Sequence, residues 1–317
     1  MTARAPYHAR TAAVFVAALA GFAPAAAAQD PGATAAAVLR VAPAPRPLAL
    51  GGAYAPMADA LSVFYNPARL SAADPAAAFA YRTLPVEAGV GAAAVAARLG
   101  PGTLGFGAQF LNYGEIDVME PDPSTGDEIG MPTGERVGGG ELAVTAAYGV
   151  RVAGRIELGA AAKLLRLQLA ESSATGTAFD VGAGLEVWDG RVALGAALQN
   201  LGSDIGPGRA SPLPRAIRAG AALRIDSPAG LRTVLVAEAV ERNGAVSPLG
   251  GLELGRVRPG AALMGRIGYD GTAGDDARAP VVLGAGLLLG GLAVDYAYRA
   301  MGALGAAHVF GVTLRFR

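Results

Sequence analysis

The chain contains no cysteine, which excludes a disulfide framework, a thiolate nucleophile and any Cys-ligated zinc or iron–sulfur site. Its histidines are two, His8 and His308, so a multi-histidine metal centre is excluded as well. No cofactor and no metal is expected. Charge is scarce: 16% of 317 residues are charged, against about a quarter in ordinary soluble domains. Basic and acidic residues balance at 26 each, and no Lys/Arg cluster interrupts that balance, so the basic excess of a nucleic-acid partner is missing. What is present in abundance is apolar residue (52%) and glycine (46 residues).

The first segment points to export. Arg4 and Arg10 precede an apolar stretch from Thr11 to Phe22, and Ala26-Ala27-Ala28 before Gln29 supplies a small-residue cleavage pattern. Residues 1–28 therefore read as a signal peptide cleaved near Ala28. Its removal takes Arg4 and Arg10 from the 26 basic residues, leaving 24 against 26 acidic ones. Beyond it, no stretch reaches the roughly 20 apolar residues of a membrane helix. The longest apolar run, Val281 to Val294, is broken by glycines and ends at Asp295.

Alternation with a period of two dominates instead. Ile156, Leu158, Ala160, Ala162 and Leu164 oppose Glu157, Gly159, Ala161 and Lys163. Phe179, Val181, Ala183, Leu185 and Val187 oppose Asp180, Gly182, Gly184 and Glu186. Ile217, Ala219, Ala221 and Leu223 oppose Arg218, Gly220, Ala222 and Arg224; Leu292, Val294, Tyr296 and Tyr298 oppose Ala293, Asp295, Ala297 and Arg299. Successive helical residues point 100° apart and cannot sustain this pattern. A soluble sandwich also alternates. Here, however, continuous apolar faces sit opposite isolated charges, which suits a barrel whose outside meets lipid and whose inside is polar.

Fourteen strands are predicted, near 76–83, 88–98, 102–113, 139–152, 155–170, 176–187, 190–201, 213–226, 230–241, 248–257, 260–270, 280–289, 291–300 and 307–317. Tight turns (Gly100-Pro101, Ala153-Gly154, Asp189-Gly190, Ser227 to Gly230, Val257 to Gly260, Gly290-Gly291) alternate with longer connections: 114–138, 170–175, 202–212, 242–247, 271–279 and 300–306. That is the layout of an outer-membrane barrel with periplasmic turns and extracellular loops. The fold class expected is all-β: a transmembrane antiparallel barrel over 76–317, preceded by an N-terminal periplasmic or plug segment over 29–75. Phe310, Leu314 and Phe316 share the outer face of the last strand and read as an assembly signal for the barrel-assembly machinery. A terminal sheet strand would alternate in the same way.

The stretch Leu48-Ala49-Leu50-Gly51-Gly52-Ala53-Tyr54, with Ala58-Asp59-Ala60 and Phe64-Tyr65-Asn66-Pro67-Ala68, resembles the N-terminal signature of the PorV/PorQ family within the FadL-like group of outer-membrane barrels. Phe179 to Gly182, Leu198 to Gly202, Leu213-Pro214-Arg215 and Asp295 to Tyr298 with Leu304-Gly305 and His308 continue the likeness, which spans about 48–317. It implies fourteen strands with the N-terminal segment tucked into or under the lumen. Gly51, Gly52, Asp59, Phe64, Tyr65, Asn66 and Pro67 then form either a movable hatch or a fixed plug, with Asp59 a partner for a lumenal arginine.

Lys163, Asp180, Glu186, Arg218, Arg224, Glu238, Asp295 and Arg299 are the predicted lumenal charges, either lining a polar path or pairing across a filled interior. Glu238 is placed inward because charge facing lipid is costly. That choice gives an inner apolar patch of Val234, Val236 and Val240, suited to a hydrophobic ligand or to packing against the plug. The acidic stretch from Glu115 to Glu135 lacks calcium-loop spacing and reads as a solvated loop, as does Asp275-Asp276. Catalysis is not expected: the one imidazole of the mature chain, His308, falls on the outer face, away from any nucleophile.

Three functions stay open. The resemblance implies passage of small hydrophobic compounds across the outer membrane, or an accessory or shuttle of type IX secretion that binds the cargo's C-terminal domains. A structural barrel with a sealed lumen is the third. The partners expected are outer-membrane lipid, the assembly machinery, and either a hydrophobic small molecule or secreted protein cargo.

Overall fold

The computed structural model describes residues 34–84, 88–121, 124, 130–273 and 279–316. The predicted signal peptide, Asp275-Asp276 and the acidic residues Asp122, Asp127 and Glu128 lie outside the described residues. Fourteen strands run in order: β1 (Ala76–Thr83), β2 (Gly89–Leu99), β3 (Gly102–Pro121), β4 (Gly130–Val152), β5 (Ile156–Leu169), β6 (Ser172–Val187), β7 (Val192–Gly202), β8 (Ala216–Asp226), β9 (Leu231–Arg242), β10 (Ala245–Arg258), β11 (Ala261–Asp270), β12 (Val281–Leu289), β13 (Leu292–Ala300) and β14 (Ala306–Arg315). Each pairs antiparallel with its sequence neighbours, and β1 pairs with β14 from Ala76↔Arg315 to Thr83↔His308, closing the barrel. Closure removes the unpaired edge that a sheet cannot expose to hydrocarbon.

The side-chain parity follows the sequence reading. On β5, Glu157, Ala161, Lys163 and Leu165 are buried while Ile156, Leu158 and Leu164 are exposed. The outer surface carries Leu164 at 59%, Phe179 at 53% and Leu263 at 63% exposure, among many other large apolar side chains. Such a continuous apolar girdle far exceeds the patches that water-soluble monomers tolerate. Glu238 is buried and faces inward with Val234, Val236 and Val240. Phe310, Leu314 and Phe316 point outward.

Three predicted connections differ from what forms. The region 114–138 was expected to be a loop, yet β3 and β4 remain paired from Glu115↔Gly138 to Pro121↔Gly130, with irregularities between Asn112 and Glu115 and between Asp117 and Met119. The reason is solvent: past the apolar girdle both faces can be wet, so a ladder persists without the apolar alternation used to recognise it. The connection at 170–175 shrinks to Ala170-Glu171. That at 242–247 shrinks to Asn243-Gly244, with φ of 51° and 81°, the dipeptide and dihedral signs of a type I′ hairpin turn. Long loops and tight turns therefore segregate less cleanly between the two ends than expected.

Residues 34–75 contain only short helical pieces, including Ala37–Arg40, Pro45–Ala49, Ala60–Phe64 and Pro67–Ala72. They pack against the inward faces of the strands. Pro67–Ala72 lies on β3 to β6, and Pro45–Ala49 on β11 to β14. Leu50, Tyr54, Val63, Phe64, Tyr65 and Leu70 join one buried apolar cluster with Ala94, Ala147, Ala161, Val236, Val240 and Leu249 of the wall. The inner patch on β9 is thus covered mainly by the chain's own N-terminal residues. Contact is close where the wall carries glycine: a Cβ at Gly159 would overlap Ala68 N and the Pro67 carbonyl carbon, and one at Gly195 would overlap the Ala55 carbonyl.

Candidate functional site

Inward parity aims charges at residues 34–75, and these answer with two arginines. Arg69, 2% exposed, sits between β4, β5 and β6. Its Nη1 pairs with Glu157, its Nη2 with Glu186 Oε1 at 2.9 Å, and its Nε donates to the Pro56 carbonyl at 3.0 Å. Arg151 Nη2 reaches the other Glu157 oxygen at 2.7 Å. Arg46 bridges Asp59 Oδ2 at 2.9 Å and Glu253 on β10, where Nε and Nη2 each donate at 3.1 Å. Glu253 also accepts from Arg266 Nε at 2.6 Å, and Arg266 Nη1 meets Asp295 Oδ1 at 2.5 Å. Asp59, expected to partner a lumenal arginine, pairs with Arg46 of its own segment, which carries the link onward to Glu253.

Backbone groups are held as carefully. Glu238 Oε2 accepts from Tyr54 N at 2.8 Å and Ala55 N at 2.7 Å, while Oε1 pairs with Arg218. Arg218 Nη2 donates to the Gly52 carbonyl at 2.5 Å, and its guanidinium lies 5.1 Å from the Tyr65 ring centroid. Gly51 and Gly52 adopt φ of 67° and 81°, a turn that L side chains resist. Gly51 also packs so tightly on the Tyr269 carbonyl that a Cβ has no room. Asn66 caps the Pro67–Ala72 turn by accepting from Ala68 N at 3.1 Å, and its Nδ2 donates to the carbonyls of Ala55 at 2.9 Å and Ala183 at 3.0 Å. Gln199 Nε2 donates to the Phe64 carbonyl at 2.9 Å.

Of the predicted lumenal charges, Lys163 pairs with Asp180 at 2.7 Å, Glu186 with Arg69, Arg218 with Glu238, Asp295 with Arg266, and Arg299 with Asp270 at 2.7 Å. Arg224 stands apart, half exposed at the tight-turn end and 3.6 Å from Asp226. Sequence reasoning missed Arg46, Arg69, Glu253, Arg266 and Asp270. For Arg266 and Asp270 the parity of β11 was the available signal; nothing in an irregular segment distinguishes Arg46 or Arg69 from surface arginines.

Burial first, then Asp59, pushes the Tyr54 phenol up, so it stays protonated and donates to Asp59. Burial likewise raises Tyr65, with Arg218 opposing. For Arg46, burial works against the charge, but the carboxylates of Glu253 and Asp59 outweigh it and its pKa rises.

The N-terminal residues separate two cavities. At the tight-turn end one of about 450 Å³ is bounded by Arg46, Met57, Asp59, Glu186, Arg224, Val234, Glu253 and Arg266. At the loop end one of about 230 Å³ is bounded by Leu39 to Pro43, Gly51, Gly52, Tyr65, Lys163, Arg218, Arg242 and Arg299. Among the described residues, no group of three or more metal-ligating side chains occurs.

No protein-family model matches the chain, and no curated protein matches its sequence. Solved structures do. The Pseudomonas putida toluene transporter TodX superposes with a TM-score of 0.59 at 11% identity, covering 88% of this chain and 99% of that one. The CymD monoaromatic hydrocarbon channel gives 0.58 at 11% identity, covering 87% and 98%. A Pseudomonas aeruginosa FadL homologue gives 0.51 at 13%, covering 84% and 96%. At such identities the likeness is one of fold: a FadL-like, fourteen-stranded barrel.

Proposed function

We propose that this chain is an outer-membrane barrel through which small hydrophobic compounds pass, with residues 29–75 acting as the gate and residues 1–28 as the export signal. The observation that carries this reading is the way residues 34–75 are held. They are tied to the wall by ion pairs and hydrogen bonds as well as by a buried apolar cluster, with a cavity on either side. Ion pairs and hydrogen bonds can pass to other partners, and packed interfaces switch between discrete arrangements. The structural neighbours, a toluene transporter and a monoaromatic hydrocarbon channel, support small hydrophobic compounds as the class of passenger. The apolar girdle supplies the membrane, and the bacterial outer membrane is the compartment where closed barrels of this layout reside. The motif likeness supports the PorV/PorQ type within the FadL-like group.

The test is uptake of radiolabelled toluene by cells that produce the protein at the surface, against cells that carry an empty vector. Faster uptake supports the reading; equal uptake, with the barrel correctly inserted, overturns it. A second reading, a type IX secretion accessory that binds protein cargo, is favoured by one feature. The β3–β4 ladder projects past the girdle and exposes Ile116, Met119 and Met131. Copurification of secretion components from intact outer membranes would promote it over transport.

A further inference from the structure

On most strands the outward face ends in an apolar side chain at the tight-turn end. Leu99, Val152, Ile156, Ile225, Leu289 and Leu314 hold that place, and all six are exposed. Strand β10 departs from this pattern. Glu253 faces inward and Val257 lines the tight-turn cavity, so Arg256 and Arg258 take the outward parity, and both are exposed. In register, Arg256 lies between Leu231 of β9 and Leu263 of β11. Arg46, Arg69, Arg218, Arg266 and Arg299 of the interior each meet a carboxylate. By contrast, no hydrogen bond or ion pair to the side chain of Arg256 or Arg258 occurs among the described residues. Residues two apart on one face of a strand are held about 7 Å from each other, and the outward residues beside this pair, Leu231, Leu254, Ala261 and Leu263, carry no charge. Arginine that faces lipid is costly deep in the bilayer and tolerated at its rim, which is where β10 places these two.

We propose that Arg256 and Arg258 form a headgroup site for an anionic phospholipid in the leaflet at the tight-turn end. Their aliphatic stems run over the leucines while the guanidiniums reach the headgroup layer. A guanidinium presents its N–H groups as a fork that matches two phosphate oxygens at once. Two cations without a counter-charge favour a lipid of net negative charge over a zwitterionic one, whose own cationic group would be brought up to the same pair. The lipid is also favoured over a free phosphate ion. Leu231, Leu254 and Leu263, exposed at 46%, 44% and 63%, offer a seat to acyl chains that a bare anion cannot use. The site lies outside the barrel, apart from residues 34–75 and both cavities. It therefore needs the girdle to meet lipid, and does not depend on the passage of hydrocarbons.

The experiment is native mass spectrometry of the full chain in a non-ionic detergent, with phosphatidylglycerol and phosphatidylcholine of identical acyl chains offered at equal concentration. Preferential retention of phosphatidylglycerol is the expected result. An arginine near an anionic headgroup contributes about a fivefold gain in affinity, so Arg256→Gln with Arg258→Gln should weaken phosphatidylglycerol binding by more than about tenfold. Arg191→Gln with Arg315→Gln removes the same net charge from side chains that line the tight-turn cavity, and should leave lipid retention unchanged. A heat-dependent shift in gel mobility checks that each variant is folded. The wild type supplies a readout that needs no variant: added salt should release phosphatidylglycerol, because exposed charges are screened. Equal retention of the two lipids by the wild type overturns the proposal. Undiminished retention in the Arg256→Gln, Arg258→Gln variant does so too, as does an equal loss in the Arg191→Gln, Arg315→Gln control or retention that salt does not alter.

Discussion

Removing Arg69 tests the holding of the N-terminal residues most sharply. Its guanidinium serves Glu157, Glu186 and the Pro56 carbonyl, and Glu157 is fully buried. Breaking a buried pair by deleting one partner costs about 3–5 kcal/mol, because a charge is left behind without compensation. Glu157 keeps Arg151 at 2.7 Å, which favours the lower end, and Glu186 is 30% exposed, so its share is small. Adding about 1.5 kcal/mol for the hydrogen bond to Pro56 brings the loss in Arg69→Ala to about 4 kcal/mol. At about 1.4 kcal/mol per tenfold, the docked-to-released ratio of the segment falls by roughly a thousandfold. Planar-bilayer conductance of the variant should rise, and limited proteolysis should cut between residues 56 and 72. The double variant Arg69→Met with Glu157→Gln leaves no buried carboxylate at position 157 unpaired and should recover most of the loss. Wild-type conductance and wild-type protease resistance in Arg69→Ala would refute the reasoning.

Asn66→Ala removes one capping acceptor and two donated bonds. At about 1 kcal/mol each, it should raise conductance less than Arg69→Ala; an unchanged liposome leak rate would count against a gating role for this residue. Gly159→Val places carbon where Ala68 and Pro67 lie, so the segment should detach while the barrel still forms, read as a preserved heat-dependent shift in gel mobility alongside faster proteolysis of 56–72. Truncating the chain after Arg315 removes the outward Phe316 and should impair insertion. Normal heat-modifiable migration of the truncated protein would argue that no assembly signal resides there.

How far the fold could be read in advance depended on where lipid imposes its pattern. On β5, Ile156 through Leu164 alternate so plainly that face and direction follow from the residues alone, because hydrocarbon on one side and a polar interior on the other leave no second solution. The same logic put Glu238 inside. Beyond the girdle it had nothing to act on: Ile116 to Pro121 form a strand with water on both sides, and their acidic neighbours looked like loop. Asn243-Gly244 has the residues of a two-residue hairpin turn, a stronger signal than the polar flanks that suggest a longer connection. The lumenal network was least legible. Glu157 could be seen facing inward, but its partner lies 88 residues earlier in a segment without period, where Arg69 carries no mark that separates it from any exposed arginine. Asn66-Pro67 reads in sequence as the stop of a short helix or the start of a turn; in the structure Asn66 caps the Pro67–Ala72 turn.

The account stands on which side chains meet hydrocarbon. Because the chain has no cysteine, single cysteines can be placed at Leu158, Leu164 and Phe179 on one parity and at Ala147, Ala161 and Ala178 on the other, and spin-labelled in liposomes. Collision rates with dissolved oxygen and with a water-soluble nickel chelate then report lipid or aqueous surroundings. High oxygen and negligible nickel access at the first three, with low oxygen access at the buried second three, is the predicted result. Nickel access at Leu158, Leu164 and Phe179 would contradict it.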